Sequence, residues 1–306
     1  MAINTNRQVK KLYIDGVQMV LNTIENPTNT YAQIVNKTIS QLNAEDLEGL
    51  TSFPTGGFQV GNTNLLKVTF PKSITTYNNV GNNGAFGSCT NLEEVEFAKP
   101  SSAAGTFGGP YFSTTKVAEL IFPDGITTIG SPNASQWVMS PPSGGTFYYK
   151  KIVAGANVTA FGYLIAYTAN ASKLAVIINK DISTSEDVPT LAYNGSYAYS
   201  FPSGFKTYVK NSTAQALVQS ATNWSSHSSN IFVLSKIYLD TDEKYIAADP
   251  AVTIQENLTR GYLSIEKSRD LWSEYDFYTD SAHTTPVTAN DLYTQGLVLY
   301  GVLKED

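Results

Sequence analysis

The chain carries one cysteine and two histidines in 306 residues, so the side chains that perform most enzymatic chemistry are scarce. Cys89 has no histidine or basic residue beside it in sequence. A thiol needs such a neighbour to ionise near neutral pH, so Cys89 reads as an inert core residue. A single cysteine also excludes an intrachain disulfide framework and a Cys-rich zinc site. His227 and His283 stand alone in Ser/Thr-rich stretches, without a nucleophile and an orienting carboxylate in view. Asp240-Thr241-Asp242-Glu243 offers oxygen ligands to calcium, but lacks the glycine and distal glutamate of an EF-hand loop. It reads as a solvated turn. The glycine-rich piece Gly105-Thr106-Phe107-Gly108-Gly109-Pro110 lacks the Lys-Ser/Thr that completes a phosphate loop, and reads as a plain loop. No pair of carboxylates suited to glycan hydrolysis stands out. The expectation is a protein that is not an enzyme, with no catalytic residue, no metal and no cofactor.

What the composition favours is contact rather than chemistry. Hydrophobic residues make up 42% and charged residues 15%, with 19 Tyr and 14 Phe, which excludes wholesale disorder. The net charge of −6 argues against a nucleic-acid partner, which demands a basic face. No run of about 18 apolar residues is present, so membrane insertion is not expected. The opening residues lack the apolar core of a secretory signal. The expectation is a cytosolic product, one that reaches the outside by another route such as release by lysis within a virus particle, or a mature form whose signal has been trimmed. Large aromatic and Ser/Thr/Asn-rich insertions hold the candidate binding residues: Tyr111, Phe112, Trp137, Tyr148, Tyr149, Tyr193, Tyr197 and Tyr199. Tyrosine and tryptophan among short polar neighbours suit adaptable binding of proteins or carbohydrates. The same rings could instead fill small cores within their own loops, and both readings stay open.

The elements that would position such insertions come from an internal repeat. Leu65-Leu66-Lys67-Val68-Thr69-Phe70-Pro71 with Ile74-Thr75-Thr76-Tyr77 returns as Val117-Ala118-Glu119-Leu120-Ile121-Phe122-Pro123 with Ile126-Thr127-Thr128-Ile129. Leu92-Glu93-Glu94-Val95-Glu96-Phe97 lies between them, giving a unit of about 26 residues, within the leucine-rich-repeat range. Fainter echoes stand at Leu50-Thr51-Ser52-Phe53, Val158-Thr159-Ala160-Phe161 and Leu174-Ala175-Val176-Ile177-Ile178. Alternation within each phrase predicts a short strand with one apolar face. One unit cannot bury that face alone, and stacking supplies a shared core, with Asn91 placed to satisfy backbone groups between units.

The phrase Ala85-Phe86-Gly87-Ser88-Cys89-Thr90-Asn91-Leu92, with the Phe-Pro-x-x-Ile-Thr lines around it, resembles the BspA-type leucine-rich repeat. Phe205 through Ser212, then Thr222-Asn223-Trp224-Ser225, resembles the terminal strap of such arrays. The likeness covers residues 34–235 and implies a mainly β fold, an irregular leucine-rich-repeat solenoid. The stretches 98–115 and 131–149 are expanded with Gly, Ser and Pro, and only one unit keeps its cysteine.

Two ends fall outside the repeat. In residues 1–33, Leu12-Tyr13-Ile14-Asp15-Gly16-Val17-Gln18-Met19 reads as a β hairpin about an Asp-Gly turn, either a cap or a docking segment. Lys10 through Val17 resembles the openings of phage structural proteins. Ala44 through Gly49 reads as one helical turn. Residues 236–306 hold 13 acids and 6 bases, while the first 235 hold 13 and 14, a shift that predicts a separate acidic, β-rich module. Strands are expected at Lys236–Leu239, Ala251–Ile254, Tyr262–Ile265 and Leu297–Val302. Phe277 through Val287 resembles the Listeria–Bacteroides small β repeat of surface proteins. The functional expectation is recognition or assembly in a bacteriophage particle, at the tail, baseplate or head. Partners would be other virion proteins, through the N-terminal segment or the C-terminal module, and a host surface protein or glycan, with homo-oligomerisation open. The alternatives are a bacterial surface or secreted adhesin, and a glycan-active enzyme.

Overall fold

The structure, a computed structural model, describes residues 12–14, 17–19, 40–44, 63–75, 77, 86, 89–98, 103–108, 112, 115–131, 148–163, 174–192 and 204–305. The chain divides into two compact units. One comprises Met1–Leu174 and Pro189–Phe205, the other Ala175–Val188 and Lys206–Asp306. The described residues are mainly β, with several parallel sheets.

In the first unit, β1 (Leu12–Ile14) and β2 (Val17–Met19) pair antiparallel, with Leu12 opposite Met19, as the alternation about Asp15-Gly16 predicts. The repeat phrases follow as parallel strands. β3 (Gln41–Leu42), β4 (Lys67–Phe70) and β5 (Glu94–Phe97) form one sheet in that order. Phe70 stands opposite Phe97 and Leu42 opposite Val68, so the pairing register reproduces the spacing of the sequence repeat. The inward residues Val68 and Phe70 are buried, while Lys67 and Thr69 between them are half-buried. Asn91 donates its side-chain amide to the Thr63 carbonyl at 2.7 Å, the cross-repeat bond expected of that position. The single helical turn read from Ala44 to Gly49, and the echo at 50–53, lie outside the described residues apart from Ala44.

The glycine-rich piece read as a loop contains a strand instead. β6 (Gly105–Phe107) pairs in parallel with β8 (Ile126–Ile129), and Phe107 is fully buried. Glycine disfavours a strand in isolation, but here the neighbouring strand and an aromatic core decide the matter. Phe107 sits 4.8 Å from Phe122 and 4.9 Å from Tyr77, between ring centroids. Phe70, Phe86, Phe97 and Phe112 extend the cluster. Between β6 and β8 lies β7 (Glu119–Ile121), which pairs in parallel with β9 (Lys151–Ala154). β10 (Ala160–Phe161) joins β8, β11 (Ala175–Ile178) belongs to the second unit, and β12 (Thr190–Leu191) joins β10. Across β8, β10 and β12 a threonine ladder ties neighbours together. Thr127 Oγ1 donates to the Gly105 carbonyl, Thr159 to that of Thr127 and Thr190 to that of Thr159, at 3.1–3.4 Å. Backbones also approach closely here. A Cβ on Gly162 would lie 2.5 Å from the Ser131 carbonyl oxygen and 2.8 Å from the Gly130 carbonyl carbon, so both chains need glycine's lack of a side chain.

In the second unit, β11, β13 (Lys206–Val209) and β14 (Ile231–Val233) form a parallel sheet. α1 (Ser212–Ser220) lies between the last two and is capped by Asn211, whose side chain accepts from Ala214 N–H at 2.9 Å. Leu234 separates β14 from a second sheet made of β15 (Ser235–Leu239), β16 (Asp242–Ile246), β17 (Tyr275–Tyr278) and β18 (Leu299–Leu303), in the order 16-15-18-17. The central β15–β18 pair is parallel, and its crossover includes α2 (Ile254–Arg260) and α3 (Leu271–Glu274). One face of the sheet packs Ile237, Leu239, Phe277 and Leu299 against Ile254, Leu258 and Leu271 of those helices.

Two strand expectations fail in this unit. Ala251–Ile254 is the entry to α2, where Thr253 Oγ1 accepts from Glu256 N–H at 3.1 Å. The Thr-x-x-Glu spacing is a helix-start signature, and Gly261, at φ +49, ends the helix. Tyr262–Ile265 forms only an isolated bridge from Leu263 to Ile246. A short apolar run cannot by itself tell a strand from a helix entry or a covering loop.

A polar anchor ties the parallel sheet to the helices of this unit. Asp249, nearly buried, pairs with Lys206 of β13 and lies 3.6 Å from Arg260 of α2. Asn257 holds the Asp249 backbone in place, donating to its carbonyl at 3.0 Å and accepting from its N–H at 2.7 Å. Burial pushes the Asp249 carboxyl upward. The Lys206 hydrogen bond, the Ala251 N–H and the charges of Lys206 and Arg260 outweigh it and leave the group below its ordinary value.

Candidate functional site

The face of the C-terminal sheet turned away from the helices carries a row of aromatic side chains. Strand alternation places them there, since Ile237 and Leu239 point inward around Tyr238, Phe277 inward beside Tyr278, and Leu299 inward beside Tyr300. Register then aligns them. Glu243 opposes Tyr238, Tyr238 opposes Tyr300, and Tyr300 opposes Tyr278, so one residue from each strand joins a single line. Tyr238 and Tyr300 stack 5.2 Å apart with planes 5° from parallel. His283, held at φ +56 in the loop after β17, packs 5.1 Å from Tyr278 and 6.5 Å from Tyr300. All three tyrosines are half-buried, so the line is open to solvent along its outer edge.

A polar network fixes one end. Glu243 accepts from Lys236 Nζ at 2.9 Å, from Tyr238 Oη at 3.1 Å and from Tyr245 Oη. The Tyr245 and Lys236 hydrogen bonds hold the Glu243 carboxyl below its usual range, and Glu243 in turn raises Lys236 and Tyr245. The acidic stretch read as a solvated turn is therefore half turn and half strand, with Glu243 inside β16. Asp240 keeps the turn role at φ +55 and accepts from Leu303 N–H at 3.1 Å. At the other end, Asp280 pins the loop that carries His283. Its carboxylate accepts from the N–H groups of Ala282, Thr284 and Thr285 and from the Thr284 hydroxyl. The Thr284 and Thr285 bonds hold it down to about 2, so the loop stays pinned throughout the physiological range.

Each edge of this sheet is partly covered by a neighbouring segment. Along β16, Ala247 N–H donates to the Tyr262 carbonyl and Ser264 N–H to that of Tyr245, at 2.9 and 2.8 Å. Along β17, Val287 N–H donates to the Phe277 carbonyl and Thr279 N–H to that of Thr285, at 2.8 and 3.0 Å. With edges paired in this way, addition of a partner strand there is disfavoured. One aromatic stack contributes about 0.5–1.5 kcal/mol, and a β-branched residue would suit the strands equally well. Folding alone does not call for this line of rings.

The sequence-derived candidates land elsewhere. Phe112 is fully buried in the aromatic core of the first unit, and Tyr149 is buried beside it. The Tyr149 hydroxyl donates to the Phe112 carbonyl at 3.0 Å, and burial pushes that phenol far above its ordinary value. These two rings fill an interior. Tyr148 is half-buried, and Tyr111, Trp137, Tyr193, Tyr197 and Tyr199 lie outside the described residues. Cys89 is buried. His227 is half-buried on the 3-10 stretch Ser225–Asn230, where burial lowers its pKa. The row at Tyr238, Tyr278 and Tyr300 was not singled out from sequence. Its signal is an aromatic residue at the outward position of three alternating strands.

No family model matches the chain, and no curated protein matches it. A similar solved structure is that of the pneumococcal vaccine antigen PcpA, at 17% identity and a TM-score of 0.44, covering 64% of this chain and 40% of that one. The chain thus spans about two fifths of the length of that protein, and the likeness is too slight for a functional comparison.

Proposed function

We propose that this chain is a non-catalytic recognition or assembly protein, a BspA-like leucine-rich-repeat solenoid of irregular turns followed by a small acidic β module. The match between the 26–27-residue pairing register of β3, β4 and β5 and the sequence repeat supports the solenoid reading. The observation that carries the recognition reading is the tyrosine row. Three large rings stand in register on the solvent side of a sheet whose edges are partly covered, and hydrogen-bonded carboxylates hold both ends. Rigid aromatic groups with polar tips lose little entropy on binding, which is why recognition surfaces favour them.

The setting we favour is a bacteriophage particle, with the hairpin or the module docking to other virion proteins and the remaining surface meeting the host. A bacterial surface or secreted adhesin is the alternative setting for the same activity. Mass spectrometry of purified particles beside washed host envelopes tests both. Stoichiometric peptides in particles make the protein a virion component, and enrichment in envelopes makes it an adhesin. Confinement to the soluble cell fraction would overturn both.

A further inference from the structure

The charge around the tyrosine row says what kind of partner it fits. On the row's own face lie Glu243 of β16, Asp276 of β17 and Asp280 of the loop that follows β17, whereas Asp242, opposite the inward Leu239, belongs to the other face. Lys236 offsets Glu243, and Lys304 lies 3.9 Å from Asp276. Residues 236–306 as a whole carry 13 acids against 6 bases, a net −7. A second copy of this module would meet the same negative field, so self-association through the face is opposed.

Ring geometry narrows the choice further. Tyr238 and Tyr300 cover one another face to face, Lys236 Nζ lies 5.9 Å over the Tyr238 ring, and His283 packs beside Tyr278. One face of Tyr238 and one of Tyr300 are thus taken by each other, which leaves less ring face for a sugar to stack upon. The row offers ring edges, hydroxyls and carboxylates. Among the described residues the Tyr278 and Tyr300 hydroxyls make no hydrogen bond, while those of Tyr238 and Tyr245 are committed to Glu243. Guanidinium groups suit this combination, since they donate in a planar fork to carboxylate and hydroxyl oxygens and pack against aromatic side chains.

Resting on the recognition role proposed for this face, we infer that the partner of the tyrosine row is a basic, arginine-bearing segment of another protein. Acid at both ends of the row steers a cationic strand across the sheet, and the hydroxyls of Tyr278 and Tyr300 fix its register.

The test uses the full chain and fluorescein-labelled decapeptides alternating serine with arginine or with glutamate, read by anisotropy, and chitohexaose as a neutral glycan probe, read by calorimetry. The arginine peptide is expected to bind, and the glutamate peptide to fail. Raising salt from 50 to 500 mM should weaken binding at least tenfold, because the Debye length falls well below 10 Å. Y278T/Y300T should weaken binding at least tenfold while lowering the urea midpoint by less than about 1 M, because the Tyr238–Tyr300 stack is lost but threonine keeps the strands. Undiminished binding by Y278T/Y300T would overturn the inference, as would equal affinity for both peptides or no binding of either. Chitohexaose bound by wild type and lost in Y278T/Y300T would also overturn the basic partner, but would leave the face as a recognition surface. Absence of the protein from both particles and envelopes strikes instead at the recognition role.

Discussion

Replacing Asp249 with asparagine keeps the size of the side chain and an oxygen for the Ala251 N–H, which Asp249 accepts at 2.9 Å. It strips the charge that faces Lys206 and Arg260. Breaking a buried ion pair from one side costs about 3–5 kcal/mol, because the remaining charge is left without a partner. The Lys206 and Arg260 side chains are 20% and 22% exposed, so both can recover some hydration. The lower end of that range, about 3 kcal/mol, is the expected loss. With a urea slope of about 2 kcal/mol per M, the midpoint should fall by about 1.5 M. Tryptophan fluorescence reads this unit well, since Trp224 and Trp272 both belong to it. The double variant K206M/D249L should recover part of the loss, because it removes the stranded Lys206 charge, while Arg260 keeps its ion pair with Glu256. Asp249 is held below its ordinary value, so its contribution is complete above about pH 4 and disappears as pH falls through the lower folded value. The gap between wild type and D249N should therefore close only in that acid range. A midpoint shift under about 0.3 M at pH 7, or a double variant less stable than the single, would refute the anchor.

Two further perturbations probe the first unit. Phe107→Ala should destabilise it by about 3–5 kcal/mol, since Phe107 is fully buried and touches the rings of Tyr77, Phe97, Phe112 and Phe122. Thermal unfolding by circular dichroism checks it, and a loss below about 1 kcal/mol would show that β6 is the surface loop its glycines suggest. Gly162→Ala should cost about 1–3 kcal/mol, because the new methyl would meet backbone at 2.5 and 2.8 Å. Gly108→Ala, which meets a threonine methyl at 3.3 Å, is the comparison that should unfold at nearly the wild-type temperature.

What could be read from sequence was whatever repeats. The phrase at 64–70 returns at 91–97, and the register of β4 on β5 is that same offset realised as hydrogen bonds. Asn91, Cys89 and Phe86 took the interior or cross-repeat places their motif implies. Strand β6 was hidden because two residues between glycines carry no alternation of their own, and the β8 ladder with the rings of Tyr77 and Phe122 makes it a strand. Phe112 and Tyr149 misled for a related reason. A tyrosine satisfies burial and exposure equally well, and one hydrogen bond, donated by the Tyr149 hydroxyl to the Phe112 carbonyl, decides for the interior.

The tyrosine row failed to show for a topological reason. Residues 238, 243, 278 and 300 come from four strands, and the central contact is parallel, made by a crossover of some sixty residues. Each strand shows its own alternation, but sequence spacing says nothing of which aromatic will stand beside which. The polar neighbours were equally hidden, because Glu243 was legible as part of an acidic turn and became an acceptor for two phenols only once β16 folded onto β15. Short-range patterning fixes what points outward, and long-range register fixes what points outward together. A recognition surface built on register will therefore escape a reading by motif, while a catalytic motif confined to one loop would not. For this chain the difference matters, because Phe112 and Tyr149, which sequence singles out, fill an interior, and the rings that stand in line meet only through the register of the sheet.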